Sequence, residues 1–440
     1  MDKAMVFPRY ESYRDSEVNW IGDIPEHWSV LPFKALFQMS TEKNGKSIKG
    51  EMLSVSGYRG IEIKHYEYEE QKRSNESLVD YRVVRKGQLV VNTMWLNYAG
   101  LGVSDYEGYV SPAYRSYNIS SQLHGRYAHY LMRSHVYVDA YTGQMQGIRP
   151  NSLQIKNCDF NKFPILIPSP TEQERIANFL DEKTAEIDDA IAKKQRLIEL
   201  LKEQKTILIN QAVTKGLNPD VPMRDSAVEW IGDVPTHWDV KKLKYYSEVQ
   251  SGITLGKLYS GNKLVIAPYL RVANVQDGYF KLDEIAELQL PQRVIDQYLV
   301  RVGDILVTEG GDIDKLGRGT VWEGEIKDCI HQNHIFAVRI NKSVASEYFV
   351  SLAMGADYGR KYFTHTANKT TNLASTNRTK LGNFPIALPP PSEQKLIMDY
   401  ANAINSRFGI VIATAEKEIA TLCELKQTVV AEVVTGKIKL

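Results

Sequence analysis

Apolar residues recur with helical spacing along two long stretches of this chain. The first runs from Pro168 to Gly216, and the second, from Pro389 to Lys437, matches it without a gap at an offset of 221 positions. In each, two interleaved apolar series repeat every seven positions, as in a helix with a narrow coiled-coil seam. We predict two long helices that pair with each other, because a solitary helix with one apolar stripe is a poor soluble structure. The seam series are Leu180, Ile187, Leu201 and Leu208 with Ile191, Ile198 and Ala212, and Ala401, Phe408, Ala415, Leu422 and Val429 with Ile412, Ile419 and Val433.

Prolines mark the start of both predicted helices, since a proline cannot sit inside a helix. A capping residue follows them, Thr171 in the first copy and Ser392 in the second. Thr171 with Glu174 fits a capping box, so the helix is expected to begin there. The second copy has Lys395 at the place of Glu174, which weakens its cap. Three lysines fall on the seam and make it imperfect: Lys194, Lys205 and Lys426.

A second repeat precedes each globular segment. Arg14 to Val30, RDSEVNWIGDIPEHWSV, matches Arg224 to Val240, RDSAVEWIGDVPTHWDV, at an offset of 210. A residue that recognises different targets should differ between copies, so we predict that the repeated aromatic residues pack in the core rather than stack on bases. These residues are Trp20, His27, Trp28, Trp230, His237 and Trp238. The repeating unit is therefore a lead-in, a globular domain and a proline-capped long helix.

The globular segments combine short strand-like runs with helical stretches. Strands are predicted near 87–91, 163–167, 269–275, 303–307 and 335–340, and helices near 127–138 and 348–358. The fold class predicted is α+β (α/β-like) globular domains in two copies, each with a largely antiparallel sheet, separated by two long antiparallel coiled-coil helices with pseudo-two-fold symmetry. No register aligns the two globular sequences, as expected of similar folds that recognise different things. The termini should lie close together if the units are related by a dyad.

Domain boundaries follow from these repeats. The lead-in and first globular domain take residues 1–168, the central long helix 169–216, the linker and second globular domain 217–389, and the distal long helix 390–440.

Composition places the chain among ordinary globular proteins. Of its 440 residues, 43% are hydrophobic and 24% are charged. Its three widely spaced cysteines indicate neither a disulfide framework nor a zinc site. No apolar run is long enough for a signal peptide or a membrane span, so we expect a cytoplasmic location.

Charge gives weak support for a nucleic-acid partner. The net charge is +1 over the whole chain. Residues 29–163 carry 17 Lys and Arg against 12 Asp and Glu, and residues 239–384 carry 19 against 16. This mild local excess is compatible with DNA contact but does not by itself predict it.

The sequence contains no complete catalytic motif. Residues 40–47 resemble a phosphate-binding loop, but Ser40 replaces its first glycine. The Asn-Pro-Pro-aromatic motif of amino methylation does not occur in the sequence. Cys329, His331 and His334 have the alternating spacing of a strand, which favours core or DNA-facing polar residues over a metal site. We therefore predict that the chain is not an enzyme and holds no metal.

Several stretches together resemble the specificity subunit of type I restriction-modification enzymes. They are the lead-ins DSEVNWIGDIPEHW and DSAVEWIGDVPTHW, the junctions FPILIPSPTEQERI and FPIALPPPSEQKLI, the linker TKGLNPDVPMRDS, and, in the globular domains, NTMWLNYAGLGVS, GYVSPAY, SGITLGK, PYLRVANVQDGYF, VGDILVTEGG and HQNHIFAVR. The resemblance covers the full length of the chain.

The resemblance implies two target recognition domains that each recognise one half of a bipartite, asymmetric DNA site. It also implies that the helix pair sets the gap and docks two methyltransferase subunits, with two motor-nuclease subunits as optional further partners. The partner subunits would use S-adenosylmethionine, and ATP and Mg²⁺ if a nuclease is present. This chain would need no cofactor of its own.

Candidate DNA contacts lie in the parts that are not repeated. Arg, Asn and Gln can make bidentate contacts with bases, lysine more often holds phosphate, and aromatic rings can stack. In the first domain the candidates are Asn92, Trp95, Asn97, Tyr98, Tyr114, Arg115, Gln144, Gln146 and Arg149. In the second they are Lys257, Arg271, Asn274, Arg318, Gln332, Asn333, Lys369 and Asn372.

Two other functions remain open at this point. A coiled-coil scaffold for protein-protein contacts, without DNA recognition, is favoured only by the near-neutral charge. A self-sufficient DNA enzyme is disfavoured by the missing motifs.

Overall fold

A computed structural model describes residues 8–48, 50–57, 59–66, 78–147, 153–256, 264–311, 316–317, 319–369 and 374–440. The chain forms two compact units. The first contains Met1–Gln195 and Glu416–Leu440, and the second contains Arg196–Ala415. Each unit holds one globular domain together with the first part of one long helix and the last part of the other.

The first globular domain is built on two four-stranded sheets. Their strand orders are β4-β11-β8-β9 and β6-β5-β10-β7, and two-stranded ribbons join β1 to β2 and β3 to β12. The strands are β1 (Tyr13–Asp15), β2 (Asp23–Pro25), β3 (Ser29–Pro32), β4 (Phe37–Met39), β5 (Glu51–Ser56), β6 (Gly60–Ile63), β7 (Arg82–Val84), β8 (Leu89–Val91), β9 (Leu101–Val103), β10 (Gly108–Val110), β11 (Arg115–Ile119) and β12 (Pro164–Ile167). The helices are α1 (Phe33–Leu36), α2 (Gly125–Arg133), α3 (His135–Gln144), α4 (Asn157–Phe160) and the long α5 (Pro170–Lys215).

The second globular domain carries one four-stranded and two three-stranded sheets, in the orders β16-β23-β19-β21, β18-β17-β22 and β20-β25-β24. Its strands are β13 (Met223–Asp225), β14 (Asp233–Pro235), β15 (Asp239–Lys242), β16 (Ser247–Ser251), β17 (Val265–Leu270), β18 (Ala286–Leu290), β19 (Ile305–Thr308), β20 (Gly310–Gly311), β21 (Gly319–Val321), β22 (Ile330–His331), β23 (Ile335–Ile340), β24 (Asn368–Lys369), β25 (Ala374–Ser375) and β26 (Pro385–Leu388). Its helices are α6 (Gln292–Tyr298), α7 (Glu347–Gly355), α8 (Asp357–Thr366), α9 (Arg378–Gly382) and the long α10 (Pro391–Val434).

The two domains share one topology although their sequences do not align. The order β4-β11-β8-β9 recurs as β16-β23-β19-β21, and β6-β5-β10 recurs as β18-β17-β22. In both domains the central pair of the second sheet, β5 with β10 and β17 with β22, is parallel, while the other pairs among the described strands are antiparallel. The prediction of two α+β domains with largely antiparallel sheets is confirmed.

Central strands of the sheets are buried along their whole length, which explains their composition. Leu89, Val90 and Val91 in β8, like Ile305, Leu306 and Val307 in β19, are at most 1% exposed. Aliphatic and β-branched residues on both faces suit a strand that is covered on both sides.

The repeated tryptophans of the lead-ins pack as predicted. The prediction is wrong for His27 and His237, which are exposed and lie against the carboxylates of Glu172 and Glu393. Trp28 and Trp238 are each 1% exposed. The backbone oxygen of each tryptophan accepts a hydrogen bond of 2.7 Å from an arginine Nη2, Arg14 in the first unit and Arg224 in the second. Trp20 packs edge-on against Tyr137 of α3, and Trp230 packs edge-on against Tyr362 of α8.

Helix α5 begins one residue earlier than predicted, and its capping box is a different pair. The Glu172 amide donates to Ser169 Oγ at 3.3 Å, and the Ser169 amide donates to the Glu172 carboxylate at 3.3 Å. The predicted box of Thr171 with Glu174 is therefore wrong. Pro170 occupies the first helical position, where a missing N–H costs nothing, and this places the cap at Ser169.

Helix α10 starts equivalently at Pro391, but a proline, Pro390, precedes it. Its predicted capping residue, Ser392, lies inside the helix. Glu393, the counterpart of Glu172, accepts a hydrogen bond of 2.9 Å from Trp238 Nε1. The second cap is thus held by the lead-in rather than by a serine.

The predicted seam is present, and two of its lysines are paired across it. Every seam position is buried or half-buried. In the first unit, Lys194 Nζ lies 2.5 Å from Glu418 Oε2, and Lys426 Nζ lies 2.6 Å from Asp188 Oδ2. The partner number falls as the α5 number rises, so these segments run antiparallel. None of the helices in the described ranges is long and apolar enough to cross a membrane.

The described residues nearest the two ends of the chain meet in the first unit, as predicted. The Lys439 amide donates to the Pro8 oxygen at 2.8 Å. Val434 is fully buried in the core of that unit. Gly436 has a φ of +74°, and a Cβ there would lie 2.4 Å from Pro25 Cδ, so the turn after α10 requires glycine.

Candidate nucleic-acid interface

Many of the predicted DNA-contacting residues fall on three segments that occupy equivalent places in the two domains. Loop A follows β8, at 92–100, in the first domain and β19, at 309–318, in the second. Turn B precedes β11 or β23, at 111–115 and 331–334. Hairpin C follows α3, at 144–154, in the first domain and α8, at 367–376, in the second. Of these segments, 148–152, 312–315, 318 and 370–373 lie outside the described residues.

In the second domain Glu309 joins all three segments. Its amide donates to the His334 oxygen at 2.9 Å, and its oxygen accepts from the Thr376 amide at 2.7 Å. Its carboxylate lies 2.6 Å from His334 Nδ1. In addition, Gly310 and Gly311 of β20 pair with Ser375 and Ala374 of hairpin C. Loop A, turn B and hairpin C therefore form one continuous surface.

In the first domain loop A presents two aromatic rings to solvent. Trp95 is 52% exposed and Tyr98 is 63% exposed. Their ring centroids are 6.1 Å apart. The loop closes on itself, since the Gly100 amide donates to the Trp95 oxygen and the Asn92 amide donates to the Gly100 oxygen, both at 2.8 Å. Exposed aromatic rings on a compact loop can stack on bases or wedge between them.

Asn97 lies between Trp95 and Tyr98 in the sequence and is half-buried. Its Oδ1 is buried without a hydrogen-bond partner within the described part of the chain. A buried carbonyl oxygen of this kind is costly unless something donates to it.

Turn B of the first domain leads into β11, which pairs with β8, the strand that precedes loop A. Tyr114 is half-buried, and burial raises its pKa. Arg115 Nη1 donates to Asn157 Oδ1 at 2.7 Å, which ties turn B to α4. Gln144 and Gln146 are exposed, and the backbone of Gln146 pairs with Gln154. The predicted contact Arg149 lies outside the described residues.

The second-domain candidates are less uniform in their placement. Arg271 is exposed, with Nη2 4.0 Å from Glu284, and Lys369 is exposed on β24. Gln332 is half-buried, and its Oε1 accepts from the Val272 amide at 3.3 Å. Asn333 is half-buried beside it. Lys257, Arg318 and Asn372 lie outside the described residues.

Two candidates have their side chains in the interior. Asn92 is 3% exposed, and its Oδ1 accepts from the Met94 amide at 3.2 Å. Asn274 is 4% exposed, and its amide group bonds the Arg271 amide, the Lys281 oxygen and the Glu284 oxygen. Both side chains serve the fold, and neither faces a ligand in this arrangement.

The possible metal group of the sequence separates in the structure. Cys329 and His331 are fully buried, whereas His334 lies at the surface with Glu309. Burial lowers the pKa of His331 to about 4, so its ring is neutral. Within the described ranges, no group of three or more His, Cys, Asp or Glu side chains could hold a metal ion.

Sequence analysis missed two polar residues beneath loop A, His129 and Arg133. They lie four residues apart on one face of α2. His129 Nδ1 accepts from the Val103 amide at 3.3 Å, and burial lowers its pKa to about 3. The signal available was this pair of basic residues in an otherwise apolar helical stretch, AHYLMR.

Similar sequences occur among type I restriction enzyme specificity subunits. No protein-family model matches the chain. It is 27% identical over 208 residues to the MjaX type I restriction enzyme specificity subunit of Methanocaldococcus jannaschii, which covers 47% of each chain. It is 22% identical over 319 residues to the EcoKI type I restriction enzyme specificity subunit of Escherichia coli K12, which covers 71% of this chain and 65% of that one. The chain resembles type I specificity subunits.

The likeness to type I specificity subunits has a defined extent. The chain spans about half to two thirds of the lengths of these curated relatives, 47% and 65%. A solved chain from a type I restriction-modification system, whose structure addresses complex assembly and conformational transition, superposes with a TM-score of 0.68 at 16% identity. That match covers 93% of this chain and 98% of the other, so the fold is shared over nearly the whole length.

Proposed function

We propose that this chain is the DNA-recognition subunit of a type I restriction-modification complex. Each globular domain recognises one half of a bipartite, asymmetric DNA site through loop A, turn B and hairpin C. An approximate two-fold relation between the domains would match the dyad of a duplex, so that each domain approaches one half-site.

The observation that carries the proposal is the contrast between shared topology and unlike loops. Loop A presents Trp95 and Tyr98 in the first domain, whereas in the second it begins with Glu309 bound to His334. A scaffold with a single target would not need two domains that share a topology but expose different side chains. Recognition of two different half-sites requires such a pair of domains, because bases are distinguished by the groups that contact their edges.

The paired helices are proposed to set the gap between half-sites and to dock two methyltransferase subunits. Support for the spacer role comes from the ion pairs Lys194–Glu418 and Lys426–Asp188, which fix the register of the antiparallel segments. Support for docking comes from apolar side chains that remain exposed on the helices: Leu197, Leu200, Ile207 and Ile410. Motor-nuclease subunits are further proposed partners.

The chemistry is proposed to reside in the partner subunits. They would use S-adenosylmethionine to methylate an adenine in each half-site, and ATP and Mg²⁺ where a nuclease takes part. This chain would act in the cytoplasm without a cofactor, and it would recognise the DNA and hold the partner subunits together.

Footprinting of the complex with its methyltransferase partner tests the proposal. Duplexes are chosen from the positions methylated in the host genome. Protection of two short segments, separated by a gap whose sequence does not matter, is the expected result. A complex that forms but protects no DNA would identify a protein-protein scaffold instead. Methylation by this chain alone with S-adenosylmethionine would contradict its non-catalytic role.

A further inference from the structure

One half-buried arginine at the end of α2, Arg133, ties loop A to a neighbouring sheet. Arg133 donates hydrogen bonds to the oxygens of Ala99 and Leu101, at 2.8 Å and 2.5 Å, where loop A enters β9. It also donates to the oxygens of Ser56 and Gly57, at 3.2 Å and 2.8 Å, at the end of β5. One guanidinium thus bridges two segments that belong to different sheets.

The described acceptors of Arg133 are all backbone carbonyls. Burial lowers its pKa to about 10, so it remains charged at neutral pH. A buried cation without a carboxylate partner is tolerated only when its donors are satisfied, and the planar fork of arginine can serve several carbonyls at once. Hydrogen bonds that involve a charged donor are about twice as strong as neutral ones. Loop A is therefore held far more firmly than its exposed position suggests.

The two segments are also packed too closely to move independently. A Cβ on Gly57 would lie 2.5 Å from the Tyr98 oxygen. A Cβ on Gly60 would lie 2.8 Å from His129 Cε1. Ala99 has a φ of +52°, a left-handed conformation that an alanine rarely adopts. The bond from Arg133 to the Ala99 oxygen holds this conformation in place.

We propose that Arg133 is a positioning residue that sets the base preference of the first domain by fixing loop A, and with it Trp95 and Tyr98, against the end of β5. The inference rests on the proposed function and adds to it the group that orients the recognition surface. Arg133 does not contact DNA in this mechanism. The equivalent position in the second domain is Gly355, the last residue of α7, which has no side chain to make such bonds.

Substitution of Arg133 separates positioning from general stability. Arg133→Met removes the four hydrogen bonds, and Arg133→Lys keeps the charge but supplies one nitrogen in place of the fork. Arg126→Met is the matched control, because Arg126 lies on the same helix and bonds Asp181 of α5, so its loss loosens α2 without removing the bonds from Arg133 to loop A. Each variant is purified in complex with the methyltransferase partner.

The measurement is the affinity for duplexes that carry single base changes in one half-site at a time. Arg133→Met should reduce discrimination in the first half-site by about tenfold, the scale of one well-placed base contact, and leave the second half-site unchanged. Arg133→Lys should fall between Arg133→Met and the parent. Arg126→Met should leave discrimination in both halves as in the parent. Equal weakening on every duplex, or unchanged discrimination, would overturn the inference.

Hydrogen exchange of peptides covering 92–101 gives a readout that does not depend on DNA. Faster exchange there in both Arg133 variants, with α5 unchanged, is expected. If Arg133→Met does not fold, Arg133→Lys decides the question, and parental exchange with parental discrimination would refute the positioning role. A parent complex without any sequence preference would instead refute the proposed function, so the two failures are distinguishable.

Discussion

At the scale of single residues, Glu172 joins the lead-in to the start of α5. Its carboxylate accepts hydrogen bonds from Tyr10 Oη at 3.1 Å and Ser169 Oγ at 3.0 Å, and lies 2.9 Å from His27 Nε2. Burial alone would raise the pKa of this carboxyl, but the hydrogen bonds from His27 and Ser169 outweigh it and hold the pKa below its usual value. The ionised form is therefore favoured by the fold.

Glu172→Gln should lower stability at neutral pH by about 1 kcal/mol, the usual worth of a helix cap. Because the folded pKa lies below the unfolded value of about 4.3, the contribution is complete above that pH and disappears as the pH falls through the folded pKa. Thermal unfolding from pH 7 to pH 3 should show the Tm values of parent and variant converging in acid.

Glu174→Gln is the control for this prediction. Glu174 lies two residues after Glu172 and is exposed. It would be the acidic residue of the capping box if the pair predicted from sequence, Thr171 with Glu174, were correct. We expect an effect below about 0.5 kcal/mol, as for an ordinary surface substitution. A larger loss in Glu174→Gln than in Glu172→Gln would contradict the cap described here.

The two lead-in tryptophans provide a matched pair with different hydrogen bonding. Trp238 Nε1 donates to Glu393, whereas Trp28 Nε1 is buried without a partner among the described residues. Replacement by phenylalanine removes the same volume at both sites, but only Trp238→Phe removes a hydrogen bond, and Glu393 then keeps its contact with His237. Trp238→Phe should therefore destabilise its unit by about 1 kcal/mol more than Trp28→Phe destabilises the other. Urea unfolding of both variants measures the difference, and equal losses would show that the indole hydrogen bond contributes nothing.

Residue-level prediction from sequence succeeded where repetition carried the information. Trp28 and Trp238 were assigned to the core because they occur in both copies, and Leu180 and Ala401 because they fall on the seam. It failed where three-dimensional neighbours decide. Asn274 looks like a base-reading amide in the sequence, but three backbone groups bind its side chain.

At the scale of elements, the two units differ in how the globular domain is attached to its long helix. In the first unit Asp181 of α5 binds Arg126 and accepts from Tyr130 Oη of α2, the latter at 2.6 Å. In the second unit the equivalent of Arg126 is Tyr348 of α7, which donates to Glu323 at 2.6 Å instead. A cleft of about 1240 Å³ lies there, lined by residues that include Leu352, Met398 and Asn402.

Asp181→Asn should loosen α2 from α5 in the first unit. Burial would raise the pKa of Asp181, but the hydrogen bonds from Arg126 and Tyr130 prevail and lower it, so the carboxylate is charged at neutral pH. Because these groups are partly exposed, we expect a loss of about 0.5–1 kcal/mol, measured as faster hydrogen exchange in α2. Asn402→Ala, at the equivalent place in the second unit, should leave exchange in α7 unchanged. Equal hydrogen exchange of α2 in the parent and in Asp181→Asn would show that Asp181 does not hold α2 against α5.

Elements could be predicted from sequence in proportion to their length. Helices α5 and α10 each carry several heptads of apolar residues. This pattern is long enough to predict both helices, and the repeat that they define, from sequence. Strands such as β7, β8 and β9 have three residues each, too few for an alternating pattern to emerge. The common topology of the two domains therefore became visible only through strand pairing, which sequence patterns do not encode when the loops differ.

At the scale of the whole molecule, each compact unit is assembled from distant parts of the chain. The first unit combines the start of α5 with the end of α10, and the second combines the end of α5 with the start of α10. The C-terminus packs on the first lead-in through Gly436 and Trp28, as Gly216 packs on Trp238 in the second unit. A duplicated sequence could predict this exchange, because two equal helices with one seam each satisfy both seams by pairing antiparallel.

Lengthening both helices together should lengthen the gap in the recognised site. Seven residues are inserted after Ile191 of α5 and seven after Leu422 of α10, between the ion pairs Asp188–Lys426 and Lys194–Glu418. A full heptad preserves the seam and adds about 10.5 Å at 1.5 Å per residue. Since one base pair rises about 3.4 Å, the gap should grow by about three base pairs, with both half-sites unchanged. Mapping of methylated positions in cells that carry the variant measures the gap.

The matched control inserts the heptad in α5 alone. That insertion places Lys194 opposite the wrong turn of α10, so the seam must bulge or slip and the complex should lose DNA recognition rather than shift its spacing. An unchanged gap in the double insertion, with methylation retained, would show that something other than the helix pair measures the distance between half-sites. A changed half-site sequence would show that the inserted segment alters base recognition itself. That outcome would contradict the proposal that loop A, turn B and hairpin C recognise the bases without a contribution from the long helices.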